Sequence, residues 1–269
     1  MKNFNDVKLG IIGCGKMSSA IIEGVVKSKF LLSENIFVYD INSDSSKSLS
    51  DKFGFCTKES IASLCDVANV ILLATKPFVV NDVLSELKNC YNNQLIMSIL
   101  AGVKIEKYLS AIEQLRIIRI MPNTPALVNC AMSAVCPSSN VDENDSDFAY
   151  NFMKNCGEVI YTTEDKMDII TALSGSGPAY YYKIIELMAS AAFKLGLDYK
   201  QALLLSAQTA MGSAKMVLEN NFDVNQLIKN VTTPGGCTEV GNNVLNNSSI
   251  DKILDKTILD TMIKAHDLG

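Results

Sequence analysis

Histidine occurs once in the 269 residues, at His266, and a lone imidazole close to the C-terminal end is a poor general base. The eight cysteines stand at positions 14, 56, 65, 90, 130, 136, 156 and 237, never in a C-x-x-C pair, and the closest two are six residues apart. Structural zinc needs clustered Cys and His ligands, so no metal site is expected. The thiols read instead as small buried hydrophobes in a reducing compartment. Long apolar runs are also missing. Val70–Ala74 and Ile99–Ala101 fall far short of the roughly 18 residues that span a bilayer. No stretch gathers five or six Lys or Arg, and the formal charge is −5 from 24 basic and 29 acidic residues. The positive footprint of a duplex or membrane-surface binder is therefore absent. The polar segment Met1–Lys8 leads directly into a strand pattern with no signal-peptide layout, so a soluble, cytoplasmic protein is expected.

What is present is apolar material for a packed core, 48% hydrophobic against 20% charged, which rules out a disordered chain. Short apolar runs alternate with helical patterns through the first half. Strands are predicted at Val7–Ile12, Ile36–Tyr39, Phe55–Cys56, Val70–Ala74, Leu95–Ile99, Arg116–Ile120, Met132–Cys136 and Val159–Tyr161, with helices between most of them. That alternation argues for an α/β fold with a doubly wound parallel sheet. After Thr163 the pattern turns helical, with shorter helices at Val224–Asn230, Thr238–Leu245 and Asp251–Ala265 and no convincing strand except around Val231. The chain thus divides into residues 1–163, carrying the sheet, and 164–269, all-helical. Pro178 suits the first turn of a helix running to about Leu195, Gly196 its C-cap, and Asp198 the N-cap of a second long helix through Glu219. Ile184, Leu187, Met188, Ala191 and Ala192 make the first of these helices apolar over more than one stripe. A helix apolar most of the way round must be buried on most sides, which predicts a homodimer through this region; packing against the first domain is the alternative.

Gly13-Cys14-Gly15-Lys16-Met17-Ser18 follows the first strand and opens the first helix, with Ser18 in the third place of G-x-G-x-x-G/A. Such a turn brings backbone N–H groups and a helix N-terminus against a pyrophosphate, so Gly13 and Gly15 are read as dinucleotide-binding. Asp40 ends the next strand about 25 residues on, where a carboxylate accepts from the adenosine ribose hydroxyls and favours NADH over NADPH. Asn42, Ser43, Ser45 and the nearby Lys47 pull the other way, and the choice of NADPH or NADH stays open. Lys76-Pro77, Leu100-Ala101-Gly102 and Arg119-Ile120-Met121-Pro122-Asn123-Thr124-Pro125 all lie at carboxyl ends of strands, the ligand-binding edge of an open α/β sheet. Leu173–Tyr180 and Thr233–Thr238 set glycines and hydroxyls at helix starts, where free N–H groups could receive a substrate carboxylate; plain interhelical turns are the alternative.

Taken together, GIIGCGKM, ATKP, RIMPNTPA, TALSGSGPAYYY and VTTPGGCT, in this order and spacing, resemble pyrroline-5-carboxylate reductase over essentially the whole chain. The resemblance implies an N-terminal Rossmann domain and a C-terminal helical domain that interlocks into dimers, often assembled into decamers. It implies hydride transfer from NADPH or NADH to the C=N of (S)-1-pyrroline-5-carboxylate, giving L-proline. On this chain Gly13, Gly15, Lys16 and Met17 would hold the pyrophosphate, and Lys76, Pro77, Ala101 and Gly102 would line the nicotinamide end, with Asn123 beside it. Glu164, Ser176, Gly236, Cys237 and Thr238 would border the substrate. A protonated imine needs no histidine, and the Thr238 hydroxyl is expected to bond the ring nitrogen. Departures from the family pattern stand at Thr75, Leu100, Thr233 and Cys237, and Thr57 stands in for the usual adenosine-contacting Asn. Two rival readings are a β-hydroxyacid dehydrogenase, with Lys183 or Lys194 as its catalytic lysine, and a catalytically silent NAD(P)-binding regulator.

Overall fold

The structure is a computed structural model and describes residue 4, residues 6–221 and residues 223–268. Strands and helices alternate as β1 (Leu9–Ile12), α1 (Lys16–Lys27), β2 (Ile36–Tyr39), α2 (Ser43–Phe53), β3 (Cys56–Thr57), α3 (Ile61–Cys65), β4 (Val70–Leu73), α4 (Val80–Cys90), β5 (Leu95–Ser98), α5 (Ile105–Ala111), β6 (Arg116–Met121), β7 (Ala131–Pro137), α6 (Glu143–Lys154) and β8 (Gly157–Tyr161). Helices α7 (Met167–Ile170), α8 (Gly177–Lys194), α9 (Tyr199–Glu219), α10 (Val224–Val231), α11 (Cys237–Asn246) and α12 (Ile250–Asp267) follow. The strands form one sheet in the order β3-β2-β1-β4-β5-β6-β7-β8. All neighbours run parallel except β6 and β7, which pair antiparallel through Ile118–Pro137 and Met121–Ala134. The doubly wound parallel sheet expected from the sequence is there, with this one antiparallel pair added to it. Nine residues, Pro122 to Cys130, join the two strands, and a parallel crossover needs about a dozen or more.

Both faces of the sheet are covered, which is why its central strands read as unbroken apolar runs. Val70 and Leu72 of β4 join the cluster holding Ile21, Ile22 and Val25 of α1 and Phe148 and Phe152 of α6. Ile71 and Leu73, one residue out of phase, join Leu64, Leu84, Leu87 and Tyr108 of α3, α4 and α5. The period of two along the strand therefore sorts one sequence into two cores. Because β1, β4, β5 and β6 run the same way, Gly13, Ala74, Ile99 and Pro122 all follow strand ends on one edge of the sheet. The chain leaves β1 toward β2 on one side and β4 on the other, so the crevice of a doubly wound sheet opens beside Gly13.

The chain forms two compact units. One runs to Ser176 and takes back the stretch from Thr261, the end of α12; the other is Gly177–Asp260. Within the second unit Gly196, at φ +104°, closes α8, and Asp198 caps α9 by accepting from the Gln201 N–H at 3.0 Å. The helix expected at Val224–Asn230 is present as α10, and Val231, where a strand was the alternative, is its last residue. Val224, Leu227, Ile228 and Val231 recur at helical spacing, and Asp223 caps that helix through the Gln226 N–H at 2.9 Å. Leu187, Met188, Leu204 and Met211 of α8 and α9 are more than half exposed on this chain, and Ala189 and Ala202 are buried. Among the described residues no helix is long and apolar enough to cross a membrane.

Candidate active site

Gly13 sits at φ +101°, and a Cβ built on it would fall 2.7 Å from the Ala74 carbonyl. Its N–H donates to the Tyr39 carbonyl at 2.9 Å, so the loop is pinned between β2 and β4. Only glycine fits there without strain. Gly15 differs: its backbone is extended, and a Cβ there would meet no protein atom within 4 Å. It is the N-cap of α1 and supplies no side-chain cap, which leaves the helix N-terminus open to an anion. Ser18, 1% exposed, donates its hydroxyl to the Gly13 and Gly15 carbonyls at 2.8 and 3.0 Å and so ties the turn to the helix. Lys16 is exposed beside this opening, and Met17 packs on the core behind it.

Asp40 holds the same loop from the other side. Its Oδ2 accepts from the Cys14 N–H at 2.7 Å and its Oδ1 from the Asn42 N–H at 2.9 Å. Burial, and next the Asp40 carboxylate, push the Cys14 thiol up to about 12, so it stays protonated. At the end of β4 the Thr75 hydroxyl is buried without a hydrogen-bond partner, beside the backbone that Gly13 approaches. An open cradle at Gly15 and an orphaned hydroxyl next to it fit a bound NAD(P)H, whose phosphates and hydroxyls would supply the missing partners.

The neighbouring strand ends carry the other expected residues. Lys76 is exposed and precedes Pro77, which opens a 3₁₀ turn into α4. Ala101 is half-buried, whereas Gly102 is buried at φ +79° against Leu268, which follows α12. Asn123 is 8% exposed and spends its amide on the fold: Oδ1 accepts from Met132 N–H at 2.9 Å, and Nδ2 donates to the Ser174 carbonyl at 3.1 Å. Glu164 accepts from Arg119 of β6, a contact that the strand's 3% exposed guanidinium makes with its Oε1, and from the Ile105 N–H at 3.3 Å through Oε2. Arg119 as the partner of Glu164 was not foreseen; the signal for it was a cation in the middle of the apolar strand Arg116–Met121. Ser176 ends a π turn, Thr171–Gly175, that follows α7, and its N–H closes that turn on the Thr171 carbonyl at 2.8 Å.

On the second unit Gly236 is the N-cap of the ten-residue α11 and again offers no side-chain cap. Gly235, at φ +73°, donates its N–H to Glu239 at 2.7 Å, and Gly236 donates to the Thr233 carbonyl at 2.9 Å. Cys237 and Thr238 stand exposed on the first turn of α11. The expected site residues therefore fall into two sets. Gly13 to Ser176 belong to the sheet-bearing unit, and Gly236, Cys237 and Thr238 to the helical one. Among the described residues no three His, Cys, Asp or Glu side chains cluster to hold a metal ion.

Residues 8–102 match the family model described as NADP oxidoreductase, coenzyme F420-dependent. With the glycine cradle at the carboxyl edge of the sheet, that makes the first unit a dinucleotide-binding oxidoreductase module. Residues 164–268 match the pyrroline-5-carboxylate reductase dimerisation model. The chain is 36% identical over 264 residues to a pyrroline-5-carboxylate reductase of Methanosarcina acetivorans, covering 97% of this chain and 98% of that one. It is 40% identical over 233 residues to the Escherichia coli pyrroline-5-carboxylate reductase, covering 86% and 87% of the two chains. A solved pyrroline-5-carboxylate reductase from Coxiella burnetii superposes with a TM-score of 0.93 at 32% identity, over 98% of this chain and 99% of that one. The Plasmodium falciparum pyrroline carboxylate reductase, solved with NADP bound, gives 0.87 at 31% identity over 98% and 99%. The chain belongs to the pyrroline-5-carboxylate reductase family.

Proposed function

We infer that this chain reduces (S)-1-pyrroline-5-carboxylate to L-proline with NADPH or NADH, the last step of proline biosynthesis. The observation that carries the reading is the pair of uncapped helix starts on one chain, the α1 turn at Gly13–Met17 and the α11 turn at Gly236–Thr238. The first suits a pyrophosphate and the second a small carboxylate. When bound, the reduced nicotinamide supplies the hydride that the imine carbon accepts. The chain's own work is positioning. Gly13, Gly15, Lys16 and Met17 hold the pyrophosphate and Asp40 the adenosine ribose, while Lys76, Pro77, Ala101, Gly102 and Asn123 shape the nicotinamide end. The N–H groups of Cys237 and Thr238 receive the substrate carboxylate, with Glu164 and Ser176 bordering it, while Gly236, whose own N–H goes to the Thr233 carbonyl, shapes the turn that presents them. The Thr238 hydroxyl bonds the ring nitrogen and keeps its proton on the imine. An imine is most electrophilic when protonated, so solution can supply that proton and a chain with one histidine can do this chemistry.

The domain boundary at 163/164 is supported by the start of the dimerisation match at residue 164. The bare apolar faces of α8 and α9 support a homodimer through the helical domain, with a decamer as the larger assembly. A cytoplasmic location goes with free thiols and with this place in amino-acid synthesis. The test is the initial rate of pyrroline-5-carboxylate-dependent oxidation of NADPH and of NADH by the full chain. Turnover with L-proline as product is the expected result. Cofactor binding with no turnover on either would overturn the reading.

A further inference from the structure

We propose that the chain selects NADH over NADPH and that Asp40 is the residue that decides. The proposal rests on the reductase reading only in taking the glycine loop as the seat of the dinucleotide. In folds of this kind the end of the second strand meets the adenosine ribose, where NADPH carries its 2′-phosphate. Asp40 stands there with both carboxylate oxygens anchored, one by Cys14 and one by Asn42. It cannot swing aside for an arriving anion. Each oxygen keeps acceptor capacity for a ribose hydroxyl, and neither can donate to a phosphate.

Hydroxyls of Ser43, Ser45 and Ser48 remain for a 2′-phosphate, but the charged compensation nearby is largely committed. The N-terminus of α2 lies just after Asp40, and such an end is a ready anion site. Here the Asn42 side chain accepts from the Asp44 N–H at 3.1 Å, and Asp44 puts the chain's own carboxylate in the first turn. Between α1 and α2 lies a groove of about 390 Å³ bordered by Cys14, Asp44, Ser45, Ser48 and Lys52. Lys52 is the cation among its lining residues, and its Nζ is 2.7 Å from Glu23, which also takes Lys27 at 2.6 Å. Arginine, whose planar fork is the usual partner of a 2′-phosphate, occurs twice in the chain, at Arg116 and Arg119. Both lie on β6, paired with Asp145 and Glu164. Lys47, exposed on α2, and Lys16, exposed beside the loop, are point charges set against the two carboxylates Asp40 and Asp44.

The test is binding to the full chain without substrate, by calorimetry or by reduced-nicotinamide fluorescence, with NADH and NADPH at one ionic strength. We expect NADH to bind about tenfold or more tightly, as a like-charge contact requires, with the gap narrowing as salt rises. AMP should likewise outbind adenosine 2′,5′-bisphosphate, which locates the discrimination at the ribose. Asp40→Asn keeps an acceptor for the Cys14 N–H and removes the charge, so NADPH should gain and the preference fall by about tenfold. Asp44→Asn should move it the same way by less, and it serves if Asp40→Asn folds poorly. Equal or tighter binding of NADPH by the unaltered chain overturns the proposal. So does a preference for NADH that both folded variants retain. Failure of the reductase reading looks different: NADH bound with the stated preference and no turnover of pyrroline-5-carboxylate.

Discussion

Asn123 and Thr238 stand for two kinds of residue that a motif cannot tell apart. Both lie in conspicuous segments, yet Asn123 is buried and gives its amide to Met132 and Ser174, whereas Thr238 is exposed on a helix start. Asn123 positions the loop, and Thr238 is exposed where the proposed substrate would bind. Thr238→Ala should therefore lower kcat/KM by about 10²-fold, the scale of a lost general-acid contact, and leave the melting temperature unchanged. Full activity in that variant would remove Thr238 from the chemistry. Gly13 and Gly15 divide in the same manner. Gly13→Ala drives a Cβ into the Ala74 carbonyl at positive φ and should destabilise the fold by about 2 kcal/mol. Gly15→Ala meets nothing in the protein, so thermal denaturation should be unaltered while the Kd for dinucleotide rises by about tenfold or more. Unaltered affinity there would mean that no ligand closes on the loop. These residues could be marked from the sequence because glycine spacing after a strand has few causes. That Asp40 clasps the Cys14 N–H could not, since a hydrogen bond across 26 residues leaves no local pattern.

At the scale of elements, the strands of the sheet were legible because burial on both faces writes them as continuous apolar runs. The direction of β7 was not, because its alternation is the same read either way and only the nine-residue link from β6 decides it. α10 was legible from Val224 to Asn230, where apolar positions keep helical spacing, and only β-branched Val231 at its end left room for a strand. The π turn Thr171–Gly175 was invisible, since one residue more per turn carries no compositional mark. What composition did announce is the apolar excess of α8, and the bare Leu187 and Met188 give it a location. Leu187→Glu with Met188→Glu should shift the chain to the monomer mass in sedimentation equilibrium, with the far-ultraviolet spectrum kept. A dimer that survives both charges would place the interface elsewhere.

On the scale of the whole molecule, the boundary between units depends on contacts that sequence order conceals. The end of α12 returns to the sheet-bearing unit, with His266 Nδ1 3.1 Å from Asp168 Oδ2 and Leu268 covering Gly102. The chain's one histidine thus holds structure at 98 residues' separation, which its isolation near the C-terminal end gave no means of reading. Thiol chemistry is spread as unevenly as charge. Cys14, in the turn that would face the dinucleotide, is buried and kept protonated beside Asp40, while Cys237, on the first turn of α11, is exposed. For anyone designing a covalent inhibitor the choice is already made. An electrophile carried on a dinucleotide mimic would meet only a protonated thiol in the glycine loop, whereas the exposed thiol is Cys237 beside Thr238, and a mimic of the proposed cyclic carboxylate substrate is the carrier to try there.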